Sequence, residues 1–208
     1  INRSAKTLKF FSCVMTAEAA EAIASCPNLQ ELSIACCDNV CPFLPVFEKI
    51  ASLRVLDLCG IEEMGTKDFE VVARMVQLER LSLRSMSQIK NKIASAIGKM
   101  TTLKDLLIFR AYQFSDSDVL ALAPMKGLRR LSLQASDLKR RGVRLITEQF
   151  PDLEYLNVGL SLELTDAGLA HLPALLKLRG LDITSCRRIT DKGFAKLVGI
   201  PQLDEIAA

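Results

Sequence analysis

The 208-residue chain contains no tryptophan, two tyrosines and one histidine, His171. A single histidine excludes a zinc-protease histidine pair. It also leaves one imidazole for any Ser-His-Asp or Cys-His relay, and His171, between Ala170 and Leu172, reads as a solvent-facing helix residue. Glycines number ten and prolines seven, with no low-complexity run, which argues against disorder. Gly168 and Gly193 are isolated turn glycines, not a phosphate-cradling loop. No apolar stretch approaches the roughly 20 residues of a membrane-spanning helix, and no secretory leader opens the numbering. The net charge of +3 is too small to define a partner. These absences leave a binding protein without cofactor, metal or membrane segment as the expectation, and they disfavour an enzyme.

Seven cysteines are present, and six of them crowd the N-terminal part of the chain: Cys13, Cys26, Cys36, Cys37, Cys41 and Cys59. Cys186 stands apart. An odd, clustered set does not resemble a disulfide framework. Free, mostly buried thiols in a reducing compartment, cytoplasmic or nuclear, are expected. The rival is a zinc site on Cys36, Cys37 and Cys41. It lacks the usual two-residue spacer, and adjacent cysteines on a strand point to opposite sides.

What the chain has is a repeat. Leucines open segments at Leu29, Leu53, Leu78, Leu103, Leu128, Leu153, Leu178 and Leu203, and after the first step the spacing never changes. An earlier segment is read as opening at Leu8, which makes the interval to Leu29 a short one. Each segment has apolar residues at positions one, four and six, as in Leu178, Leu181 and Ile183, where the last two alternate as on a strand. A second apolar set follows at helical spacing, such as Ile189, Phe194 and Leu197. Thr165–Asp166 and Thr190–Asp191 stand where a helix needs an N-terminal cap. Pro27, Pro151 and Pro201 stand where each helix must have ended. One strand and one helix per unit cannot bury an apolar side alone, but stacked units can.

The stretches "LRGLDITSCRRITDKGFAKL" at 178–197 and "CPNLQELSIACC" at 26–37 resemble the cysteine-containing class of leucine-rich repeats known from F-box proteins. Cys37 and Cys186 stand at position nine, where that class places its cysteine. Ser161, Ser136, Ala111, Met86 and Ile61 take the same place elsewhere. The resemblance implies an α/β solenoid of about eight ~25-residue repeats, with a curved parallel sheet on the concave side and helices on the convex side. It also implies an adaptor or scaffold, one use of which is to hold a substrate for ubiquitin ligation. The expected organisation is one array over 1–208, part of a longer chain, because no polar caps cover its ends.

Positions three, five and seven of each strand point to the open face. The surface expected to bind a partner protein therefore comprises Arg80, Arg84, Asp105, Leu107, Phe109, Arg130, Gln134, Tyr155 and Asn157. Exposed apolar and aromatic groups among arginines match the composition of binding hot spots, although Arg80, Asp105 and Arg130 could simply neutralise one another. A second feature is basic. Lys126, Arg129, Arg130, Lys139, Arg140, Arg141 and Arg144 fall in one short run, against one acid, Asp137. Lys139, Arg140 and Arg141 are expected on the loop entering the sixth helix, with Arg187 and Arg188 on a similar edge two repeats later. Such a run is most often a solvated face; its alternative is contact with an acidic protein, a phosphate or nucleic acid. Nucleic acid is disfavoured, because few outward aromatics are available for stacking. Two other readings compete with the interaction module: a structural subunit of a large assembly, and a repeat domain that stimulates a partner enzyme.

Overall fold

The computed structural model describes residues 4–85 and 92–208. Nine parallel strands lie in one sheet in strict chain order. They are β1 (Thr7–Phe11), β2 (Glu31–Ala35), β3 (Val55–Cys59), β4 (Arg80–Arg84), β5 (Asp105–Phe109), β6 (Arg130–Gln134), β7 (Tyr155–Asn157), β8 (Gly180–Asp182) and β9 (Glu205–Ala207). The intervening helices are α1 (Ala17–Ala24), α2 (Leu44–Glu48), α3 (Thr66–Ala73), α4 (Lys92–Ile97), α5 (Asp116–Ala121), α6 (Arg140–Gln149), α7 (Asp166–Leu169) and α8 (Asp191–Leu197). This is the expected leucine-rich-repeat solenoid, with its curved sheet on one side and its helices on the other. Among the described residues no helix is long and apolar enough to cross a membrane. Met86, the position-nine residue of the fourth repeat, lies outside the described residues.

The register corrects the reading of the first repeat. Leu8 pairs with Leu32, not with Leu29, so it occupies position four. The step from Leu8 to Leu32 equals the step from Leu32 to Leu56, so the first repeat is not a short unit. A leucine alone does not tell position one from position four.

The core is a set of columns running along the solenoid. Positions one, four and six supply Leu53, Leu56 and Leu58, or Leu128, Leu131 and Leu133, all fully buried. Position nine is buried as well: Cys37, Ile61, Ala111, Ser136, Ser161 and Cys186. Its two serines share a hydrogen bond at 3.0 Å, and the thiol of Cys186 donates to the Val158 carbonyl at 3.3 Å. A small residue that can satisfy itself within the core is what this column takes. A further column precedes each opening leucine by one turn: Cys26, Ile50, Met75, Met100, Met125, Phe150, Leu175 and Ile200. From Cys26 to Leu175 each offers its carbonyl to the N–H of the opening leucine, at 3.0–3.3 Å, closing the helix-to-strand turn. Phe194 departs from the expected helical core. It is 37% exposed, on the last helix of the array.

Each strand from β1 to β8 is followed by a residue in the left-handed conformation: Ser12, Cys36, Gly60, Ser85, Arg110, Ala135, Leu160 and Ser185, with φ between 50° and 61°. This turns the chain off the sheet toward position nine. L-residues pay about 1–2 kcal/mol there, and only Gly60 avoids it. A methyl group on Gly60 would also lie 3.2 Å from the Cys36 Sγ. Gly60→Ala should therefore lower stability by about 1–2 kcal/mol. Gly127→Ala, where an added methyl meets only carbonyl oxygens at 3.9 and 4.0 Å, should be neutral or stabilising. Urea midpoints followed by far-ultraviolet circular dichroism check the contrast, and equal midpoints for the two variants would remove the strain argument.

Candidate functional site

The open face is a set of side-chain rows, each crossing the strands at about 4.8 Å per step. The position-three row contains Arg80, Asp105, Arg130 and Tyr155 on adjacent strands, as expected. Their pairing is now specific. Arg80 grips Asp105 through Nε at 2.7 Å and Nη2 at 2.6 Å. Arg130 does not join them. Its guanidinium stacks 4.5 Å over the Tyr155 ring, a cation–π contact. Tyr155 in turn lies flat on Gly180, where an added Cβ would fall 2.7 Å from its Cδ2. A glycine on β8 thus makes the space for the Arg130–Tyr155 stack. Mutual neutralisation of the three charges therefore holds for Arg80 and Asp105 only.

In the position-seven row Arg84, exposed, precedes Phe109 and Gln134, both half-buried. Arg84 reaches diagonally to Asp57, and that carboxylate raises its pKa further. Between the two rows lie Leu107, half-buried, and Ser132, buried. Five of the nine expected residues, Arg80, Arg84, Leu107, Phe109 and Arg130, thus form an apolar strip flanked by arginines. Among the described residues no carboxylate forms an ion pair with Arg130.

Two of the nine are not presented to a partner. Asp105 is 8% exposed and Asn157 is 5% exposed. Asn157 donates to Asp182 Oδ2 at 2.9 Å and accepts the Gly159 N–H at 2.9 Å. Asp182 repeats the motif by accepting the Thr184 N–H at 2.9 Å. These two side chains tie off β7 and β8, two of the three short strands of the sheet. Alternation alone could not reveal this, because Asp105 is covered by the Arg80 that grips it and Asn157 by its bonds to Asp182 and to the Gly159 N–H.

A row missed in the sequence is position two, at the rim of the sheet. It reads Arg54, Glu79, Lys104, Arg129, Glu154, Arg179, Asp204. Lys104 bonds Glu79 at 2.7 Å, Arg129 bonds Glu154 at 2.6 Å and Arg179 bonds Asp204 at 2.9 Å. The opposite signs of Glu79 and Lys104, Arg129 and Glu154, and Arg179 and Asp204, each one repeat apart, were the available signal.

The basic run does not form one edge. Lys126 bonds Gln149, Arg129 joins the position-two row, and Arg130 faces the open side. Lys139 is the N-cap residue of α6, and Arg140 and Arg141 belong to its first turn, not to a loop. Arg140, Arg141 and Arg144 line a cleft of about 370 Å³ with His171, which lies between α7 and a short turn at Leu172–Ala174 and is half-buried instead of solvent-facing. Arg188 pairs with Glu163 at 2.8 Å, and Arg187 borders a different cleft with Cys186 and Phe194.

The thiols divide by environment. Cys26, Cys37 and Cys186 are buried, Cys41 and Cys59 are half-buried, and Cys13 and Cys36 are exposed. Burial, followed by the nearby Asp68 and Glu63 carboxylates, pushes the Cys41 thiol up to about 12. Burial also raises the Cys37 thiol. Both favour the protonated form over the thiolate a metal needs.

The architecture is that of a leucine-rich repeat, and residues 175–198 match the family model described as Leucine Rich repeat. Internalin C2 of Listeria monocytogenes is 16% identical, with a TM-score of 0.69 over 97% of this chain and 80% of that one. TLR13, in its complex with ssRNA13, is 20% identical, with a TM-score of 0.54 over 93% of this chain and 30% of that one.

Two outcomes are expected. Asn157→Ala should destabilise the chain by about 1–3 kcal/mol, since it strips partners from buried polar groups; an unchanged urea midpoint would return Asn157 to the binding surface. At pH 8, iodoacetamide should modify Cys13 and Cys36 well before Cys26, Cys41 and Cys186, as read by peptide mass spectrometry. Modification of Cys41 at the rate of Cys13 would contradict the burial argument.

Proposed function

We propose that the chain is a protein-interaction module that receives its partner on the open sheet face, around Leu107, Phe109 and Arg130. The observation that supports this most is the strip itself: two half-buried apolar side chains beside an arginine whose charge no carboxylate of the described residues meets. Most other charges on the sheet side are internally paired. The fitting partner is a protein that inserts an apolar side chain between Leu107 and Phe109 and sets a carboxylate over Arg130. Arg80, Arg84, Gln134 and Tyr155 frame that contact. The rigid stack on Gly180 holds Tyr155 and Arg130 in place before binding, which lowers the ordering cost of association. The finer reading is that the bound protein is a substrate presented for ubiquitin ligation. It rests on the resemblance of the cysteine-bearing repeats to those of F-box proteins, and Cys37 and Cys186 occupy equivalent buried positions in support of it.

Affinity purification with quantitative mass spectrometry tests the surface. Proteins recovered by the wild-type chain should fall about 30-fold or more for Phe109→Ala combined with Arg130→Ala, the loss expected of hot-spot residues. They should persist for Lys49→Ala, on the helix side. Recovery of the same partners by both variants would overturn the choice of face. For the finer reading, ubiquitylation of a partner lost in this way should drop when the double variant replaces the wild type in cells.

A further inference from the structure

Across three repeats the helix begins the same way. Ser115, Thr165 and Thr190 stand at the N-cap, and Asp116, Asp166 and Asp191 occupy the first helical position. Two of these acids also reach to the following repeat. Asp116 accepts the Lys139 N–H at 2.9 Å, and Asp166 accepts the Thr190 N–H at 2.8 Å and its hydroxyl at 2.7 Å. The bonds from Thr190 hold the Asp166 carboxyl below the ordinary range. The sixth repeat breaks the rule at both places, with Lys139 as N-cap and Arg140 after it. A lysine side chain has no oxygen to accept from the helix amides. Gly142 confirms the alignment: an added Cβ there would strike Asp116 Oδ1, just as one at Gly193 would strike Asp166 Oδ1.

The arginines that start this helix are exposed, and they gather on one cleft. Arg140 turns to His171, its Nε donating to the imidazole Nε2 at 3.3 Å. Arg141 and Arg144 line the same cleft. Asp116 sits against the helix start through the Lys139 N–H, and Glu148, one turn along from Arg144 at 3.5 Å, forms an exposed pair with it. Among the described residues no carboxylate forms an ion pair with Arg140 or Arg141. Three guanidinium groups and an imidazole therefore converge on one concavity with little to neutralise them.

We propose that this cleft binds a small phosphorylated molecule, with Arg140, Arg141 and Arg144 engaging its phosphate oxygens and His171 orienting Arg140. The chemistry selects phosphate. A carboxylate occupies one guanidinium fork, whereas a phosphate group offers enough oxygens and charge for several. The cleft volume of about 370 Å³ lies within the range of small-molecule sites and is larger than a single phosphate requires. Among the described residues no aromatic ring other than His171 lines it, so base stacking by a nucleic acid has no platform. The site lies on the helix side, away from the sheet face, and stands independently of the reading given for that face.

Isothermal titration of the full chain with inorganic pyrophosphate in 50 mM NaCl tests the proposal. Saturable one-to-one binding is expected, weakening several-fold when the salt is raised to 200 mM. Arg141→Gln with Arg144→Gln should reduce affinity at least tenfold with an unchanged circular dichroism spectrum, and Lys49→Ala should leave it unaltered. If that double variant fails to fold, Arg141→Gln alone should still weaken binding severalfold. No saturable binding, or an equal loss from Lys49→Ala, overturns the proposal. A phosphoserine peptide forms the second arm: binding of the peptide without pyrophosphate binding would make the ligand a modified protein and overturn the small-molecule assignment.

Discussion

One carbonyl per repeat sets the geometry of the whole array. The position-two oxygen accepts two N–H groups from the next repeat, those of positions two and three. Gln30 takes Arg54 and Val55, Arg54 takes Glu79 and Arg80, and the pattern runs unbroken to Arg179, which takes Asp204 and Glu205, at distances of 2.7–3.1 Å. This shared acceptor fixes where each strand starts relative to the last. A slip of one residue would exchange the buried and open faces of a strand. Because the acceptor is backbone, the register holds whatever side chain occupies the position.

Constant register turns sequence position into surface position, and each row can then specialise. Position two closes on itself as rim ion pairs between neighbouring repeats. Such exposed pairs add little stability, but they leave the rim without a strong net field. Position five is buried where a small or hydrogen-bonded residue stands, as at Ser82, Ser132 and Asn157, and half-buried at the larger Leu107. Positions three and seven, together with Leu107 of position five, remain for recognition. There the spacing of about 4.8 Å is close enough for Arg130 to stack on Tyr155 and for Arg80 to grip Asp105. Several side chains of the open face in its middle strands thus already have partners within the chain.

The fold was legible because a constant repeat length survives any single substitution. Positions one, four and six recur often enough that exceptions do not hide them. The candidate site was legible only in outline. Alternation correctly placed Arg80, Arg84, Leu107, Phe109 and Arg130 on the open face, but it treats all outward positions as equal. It could not show that Asn157 and Asp105 are covered, since that depends on bonds to neighbours a full repeat away in the chain. Nor could linear clustering sort the arginines between Lys126 and Arg144. Consecutive residues on a strand, a rim and a helix start point in three directions, so a basic run in the sequence becomes three separate environments. The first repeat has the same difficulty: Leu8 is apolar like its equivalents, and only pairing with Leu32 distinguishes position four from position one.

The start of α6 runs against the local physics of its neighbours. A Ser or Thr cap contributes about 0.5–2 kcal/mol, and an acid in the first turn about 0.3–1 kcal/mol through the helix dipole. The sixth repeat forgoes both and places cations where the dipole opposes them. Surrounding repeats show that the fold accepts the ordinary solution at this place, so packing does not impose the exception. Gly142 is retained, and with it the close approach to Asp116. The departure is confined to Lys139 at the cap and to the side chains that line the cleft with His171. A local conflict of this kind, kept within a consistent array and focused on one concavity, is where a demand other than stability acts on the sequence. An anion in the cleft resolves it, supplying the negative charge that Asp166 and Asp191 supply in the repeats that follow.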